Sequence, residues 1–181
     1  MPSIRYNAQV PLPLPSLLFF TILVRNNRDM KGGPGPPRYY AGLSKTKKRQ
    51  RAAEIRKFGA LGWKDPSAYV GFQTDKGIKT RKSGYTVAWR ARFPDATSLE
   101  AKAAATGVPL RFIKASYNRG LAAWRTGHRP GATEQQWGYA RVHSFLLCGK
   151  TALTTDSDLR KAAIAESPSA ATWYRSIRCS S

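Results

Sequence analysis

A surplus of 21 positive charges, from 31 Lys and Arg against 10 Asp and Glu, constrains this 181-residue chain more than any other feature. Self-repulsion at that charge opposes a compact state unless the cations are spread over the surface or meet an external anion. Nucleic acid, an anionic membrane face and an acidic protein lattice are the partner classes that follow. The apolar fraction of 41% permits a core for one compact domain or two very small ones, though not a core that includes every residue.

The shortage of acids also limits chemistry. Ten scattered carboxylates leave few players for general acid–base work, and no paired-carboxylate site, nucleophile elbow or HExxH occurs. Gly149-Lys150-Thr151 looks like the end of a phosphate-binding loop, but the full motif needs a glycine at 144, where Ser144 stands. The expectation is a binding protein without enzymatic activity, cofactor or metal. Cys148 and Cys179 do not form a CxxC pair. That spacing argues against a disulfide framework, fits a reducing compartment and falls short of a four-ligand zinc site.

Composition divides the chain into four parts. Residues 1–37 form an arm and linker: the stiff Pro11-Leu-Pro-Leu-Pro15, the apolar Leu17 to Val24, then Gly32-Gly-Pro-Gly-Pro-Pro37. The apolar run is shorter than the roughly 20 residues that span a bilayer. It reads either as an extended arm that buries Leu17, Leu18, Phe19 and Phe20 in a partner, or as an extension upstream of a product starting at Met30. Residues 38–94 hold a basic helix from Leu43 to Phe58, capped by Ser44, followed by an irregular aromatic and basic stretch. Lys45, Lys47, Lys48, Arg49 and Arg51 lie on that helix with Glu54 as the single acidic companion, which favours a phosphate or an acidic protein as partner. Lys79, Arg81 and Lys82 sit among aromatics in the following stretch, and Tyr85 to Trp89 fits a short strand or helix.

Residues 95–166 are a helical module of about four short helices. Ser98 to Thr106 ends at Gly107, and Pro109 opens a second helix with Leu110, Ile113, Tyr117, Leu121 and Trp124 at core spacing. Asn118-Arg-Gly120 is a potential bend in it. Thr133-Glu-Gln-Gln136 is a capping box that starts a third helix, and Thr155-Asp-Ser-Asp158 opens a fourth. The first two resemble a helix-turn-helix whose second helix would carry Arg111 and Lys114 into a major groove, but any short αα-corner satisfies the pattern. The tail, 167–181, carries Trp173, Tyr174 and Ile177, apolar enough to dock on a partner. The fold expected is therefore mainly α, with extended termini.

Two stretches carry a resemblance. The first is Tyr117-Asn-Arg-Gly-Leu-Ala-Ala-Trp-Arg-Thr-Gly-His-Arg-Pro-Gly-Ala-Thr133 with Gln136-Trp-Gly-Tyr-Ala-Arg-Val-His-Ser-Phe145. With the following Gly149-Lys-Thr151 and Asp156-Ser-Asp-Leu159, it resembles a module of proteins from algal and other nucleocytoplasmic large DNA viruses. The second, Tyr40-Ala-Gly-Leu-Ser-Lys45 with Arg51-Ala-Ala-Glu-Ile55, is similar to an element of small basic proteins from the same viruses. The resemblance implies a virus-encoded basic protein of a packaged kind, and supplies no biochemical activity. Within the module, Trp124 and Trp137 are expected to pin two helices together. Arg125, His128, Arg129 and Arg141 have few carboxylates nearby in sequence, so they are expected to meet an external anion.

The reading that follows is a minor capsid (cement) component on the inner face of a large icosahedral DNA virus shell, located in the virion and, during assembly, in the host cytoplasm. It would bind the major capsid protein and other minor capsid proteins through a basic body and apolar termini. The alternative is a protein that packages viral DNA, using the same cations. Membrane contact through residues 12–24 is a third reading.

Overall fold

The computed structural model describes residues 33–62 and 64–179, and among these every regular element is helical. Local signals account for most helix ends. Helix α1 (Lys45–Gly59) begins where Ser44 accepts from the Lys47 N–H. After the 3-10 turns Pro66–Tyr69 and Gln73–Asp75 comes α2 (Gly84–Arg92), so Tyr85 to Trp89 is helix rather than strand. Helix α3 (Leu99–Thr106) starts on the Ser98 hydroxyl and stops at Gly107, whose φ of 68° lies in the left-handed region that glycine enters without strain. Helices α4 (Leu110–Arg125) and α5 (Glu134–Leu146) follow, the latter opened by a reciprocal capping box between Thr133 and Gln136. A single turn, α6 (Lys150–Leu153), leads to α7 (Ser157–Glu166) and α8 (Pro168–Ser176). The mainly α architecture expected from the sequence is what the chain adopts.

Helix α4 runs unbroken through Asn118-Arg-Gly120. Gly120 lies against Gly138 of α5, where a Cβ would come 2.7 Å from the Gly138 Cα. Gly120 is thus a point of close helix approach, not a bend. Around the α4–α5 pair a core gathers from Trp89, Val108, Ile113, Val142, Phe145, Leu146, Ala163, Trp173 and Tyr174. Residues from α2 and α8 share it, so the aromatic stretch before residue 95 and the tail after 166 pack with the module.

Two expectations need correction. Trp173 and Tyr174 are not free to dock on a partner: both are buried, and the Trp173 Nε1–H donates to the Leu146 carbonyl at 2.8 Å. The reason is local. Ser167 caps a further helix, accepting from the Ala170 N–H, and Pro168 fits its first turn, so the chain turns back and lays its apolar face on the core. The second concerns the cysteines. Cys148, just past α5, and Cys179, just past α8, form a disulfide with Cα atoms 5.5 Å apart. Their separation of 31 residues gave no hint of it; the return of α8 brings them together.

A second cluster, Tyr40, Ala52, Ile55, Phe58 and Phe72, seats α1. It joins the module through Phe72, whose ring lies 4.7 Å from His128 and 6.2 Å from Trp124. Among the described residues no helix is long and apolar enough to cross a membrane. Leu17, Leu18, Phe19 and Phe20 lie outside the described residues.

Candidate nucleic-acid interface

Between α5 and the segment running from residue 80 through α2 to Ser98 lies a groove of about 1700 Å³. Eight cations line it. Arg81, Lys82 and Arg90 come from the α2 side, Lys102 from α3, and Arg129 and Arg141 from the α5 side; Arg38 and Lys150 complete the set. No Asp or Glu lines it. Six of the eight (Arg38, Arg81, Lys82, Arg90, Arg129 and Lys150) form no ion pair among the described residues. Aromatic rings interleave with them, with Tyr85, Trp89, Trp137 and Tyr139 in the same lining.

Beneath this surface, Lys102 is buried with its ammonium donating to the carbonyls of Ala96 and Thr97, both at 2.7 Å, and of Ser98 at 3.3 Å. Those three contacts use its three N–H bonds and fix the loop before α3. Burial, with Arg90 nearby, lowers its pKa to about 8. His143, stacked on Trp89 with centroids 5.6 Å apart, places Nδ1 3.0 Å from the Thr86 hydroxyl, while its buried Nε2 has no partner. Burial first, then the charges of Lys102 and Arg90, push its pKa down to about 3. The ring is therefore neutral at physiological pH.

The groove is assembled from residues 38–39, 80–102, 123–144 and 150–155. A model described as a family of unknown function, DUF5824, matches residues 36–161. The chain belongs to the DUF5824 family. All the segments that build the groove fall inside the DUF5824 match, whereas Leu17 to Phe20, α8 and Cys179 fall outside it. No curated protein and no solved structure matches this chain.

The DUF5824 fold sorts the cations expected to bind. Arg81, Lys82, Arg129 and Arg141 converge on the groove. Lys45, Lys47, Lys48 and Arg49 are exposed on α1, and Lys79 is exposed just before Thr80, none of them lining the groove. Three arginines have inward tasks. Arg51 is buried, not part of the cationic face: its Nη1 pairs with Asp75 at 2.8 Å and its Nη2 donates to the His128 carbonyl. Its aliphatic stem follows the apolar side of α1, which carries the guanidinium to a carboxylate 24 residues away. Arg125 donates to the Leu61 carbonyl at 2.7 Å, closing the end of α1. Arg141 borders the groove but is held bidentately by buried Asp156, at 2.9 and 2.7 Å.

His128 likewise turns inward. Nε2 meets Asp75 at 2.7 Å and Nδ1 meets the Trp124 carbonyl at 2.8 Å. Trp124 stacks on it at 4.4 Å and Trp137 meets it edge-on, so the two tryptophans meet across His128. Arg111 and Lys114, the cations of the helix-turn-helix reading, are exposed on α4 and pair with Glu166 and, at 3.5 Å, Glu100. Sequence reasoning missed Lys102, concealed in an alanine-rich helix, and Arg38 and Lys150, which have no periodic signal.

Proposed function

We propose that this DUF5824 protein binds nucleic acid and serves to package or organise a viral genome. The groove carries the reading: no Asp or Glu lines it, and six of its cations form no ion pair among the described residues and interleave with aromatic rings. A surface with so much uncompensated charge gains most from a polyphosphate backbone, where each contact releases condensed counterions. The exposed cations of α1 add a second, sequence-independent contact surface. The viral setting rests on the resemblance of the 117–145 module to proteins of large DNA viruses.

The minor-capsid reading retains one motive, the apolar Leu17 to Val24. It has lost the other, because Trp173 and Tyr174 complete the core of the protein itself.

The test replaces Arg81, Lys82 and Arg129 with glutamine and follows affinity for DNA against salt. The log–log slope should fall by about 0.7–0.9 for each phosphate contact removed. An unchanged slope sinks the groove as an interface. Fractionated particles test the setting: retention with the genome supports the proposal, and retention with the emptied shell supports the capsid reading.

A further inference from the structure

Resting on the nucleic-acid reading, we infer that the groove takes a single strand rather than a duplex, with bases stacked on Tyr85 and Trp137 and phosphates on Arg81, Lys82, Arg129 and Lys150. The first argument is shape. Duplex readers insert a convex helix or ribbon into a groove of the DNA, whereas here the cations line a concavity of the protein. At roughly 300 Å³ per nucleotide, the lower end of small-ligand pockets, about 1700 Å³ holds a handful of nucleotides. Single-strand grooves take about 4–16. On the convex face of α4, Arg111 and Lys114 remain exposed but sit in ion pairs with Glu166 and Glu100, so that face offers less free charge than the groove.

The second argument is the rings. Tyr85 is 38% exposed, and it is held in place: its hydroxyl accepts from the Lys150 N–H at 3.3 Å and its ring lies on Gly149, leaving no room there for a Cβ. Trp137 is half-buried and held by T-shaped contacts with Tyr39 and His128. An immobilised, partly exposed ring beside unpaired cations is a stacking platform, and only unpaired bases offer a free face to it. Every base has such a face, so binding should tolerate sequence.

The test uses the full chain with oligodeoxythymidylate and with a mixed-sequence duplex of the same length. The single strand should bind more tightly. Tyr85→Leu and Trp137→Leu should each weaken it by about tenfold, leave duplex affinity and the salt slope unchanged, and be rescued by Tyr85→Phe and Trp137→Phe. Tyr85 is a surface residue, so its leucine variant keeps the test valid should the Trp137 variant misfold. Equal affinity for both polymers, or full single-strand affinity in Tyr85→Leu, overturns the single-strand inference and leaves the nucleic-acid reading standing. Binding of neither polymer overturns both.

Discussion

Gly120 of α4 and Gly138 of α5 pass so closely that each occupies the space a neighbouring side chain would need. A Cβ on Gly120 would lie 2.7 Å from the Gly138 Cα, and one on Gly138 would lie 2.7 Å from the Tyr117 ring. In an exposed helix interior, Gly→Ala gains up to about 1 kcal/mol. Here overpacking should reverse the sign, with Gly120→Ala costing about 1–3 kcal/mol in chemical denaturation. Gly59→Ala, where a Cβ meets nothing within 4 Å, should be neutral or stabilising.

Asp75 is the joint between α1 and the module, receiving Arg51 Nη1 at 2.8 Å, His128 Nε2 at 2.7 Å and the Gly131 N–H at 2.9 Å. Its hydrogen bonds and the nearby cations hold its carboxyl below the usual range, against the opposing pull of burial. Asp75→Asn strands the buried Arg51 and should cost about 3 kcal/mol or more in urea unfolding. Lys48→Gln, on the exposed face of α1, should change stability by no more than about 0.5 kcal/mol.

Acid should unfold the protein partly through His143. Its folded pKa of about 3 lies below the ordinary 6.5, so between those values the unfolded chain binds a proton that the folded one refuses. Stability should therefore be full above pH 6.5 and fall as pH drops towards 3, by at most about 1.4 kcal/mol per pH unit. His143→Gln should flatten the limb between pH 6.5 and 4, above the range where the depressed Asp75 carboxyl protonates. Thermal melts across that range decide it, and an unchanged limb in the variant refutes the assignment. Lys102 acts elsewhere: with a folded pKa of about 8 against 10.5, it should make stability rise with pH between those values.

The Cys148–Cys179 bond closes a loop across 31 positions. Loop-closure entropy assigns it about 3–4 kcal/mol. Dithiothreitol should lower the denaturation midpoint of the native chain by a corresponding amount and leave Cys148→Ser/Cys179→Ser unaffected.

Replacing Lys45, Lys47, Lys48 and Arg49 together with glutamine should reduce the salt slope for duplex binding without changing the melting temperature. The four are exposed, and none forms an ion pair among the described residues. A retained slope would make that face of α1 merely solvated.

By itself the sequence determined what is encoded within a few residues. Ser44, Ser98 and the Thr133–Gln136 box each start a helix where side-chain oxygens meet backbone N–H groups three positions on, and Gly107 ends one. Such interactions need no distant partner, so helix class and most boundaries were legible, as was the cationic face of α1. The stretch 80–93 was harder, because Trp89 and Phe93 pack on a core built largely from residues beyond 108 while Tyr85 and Val87 stay exposed, so its apolar residues show no one-sided period. Among the described residues, tertiary structure alone decided the fate of the charges and of the C-terminal helix. Arg51 and Arg141 look in sequence like their exposed neighbours, yet Asp75 and Asp156 take them inward from 24 and 15 positions away. Trp173 and Tyr174 have the same composition whether they seek a partner or their own core, and the turn at Ser167-Pro168 sends them to the core. The groove belongs to no segment of the chain. It exists because α5 and the 80–98 segment face each other, bringing cations from separate stretches of the chain to one lining.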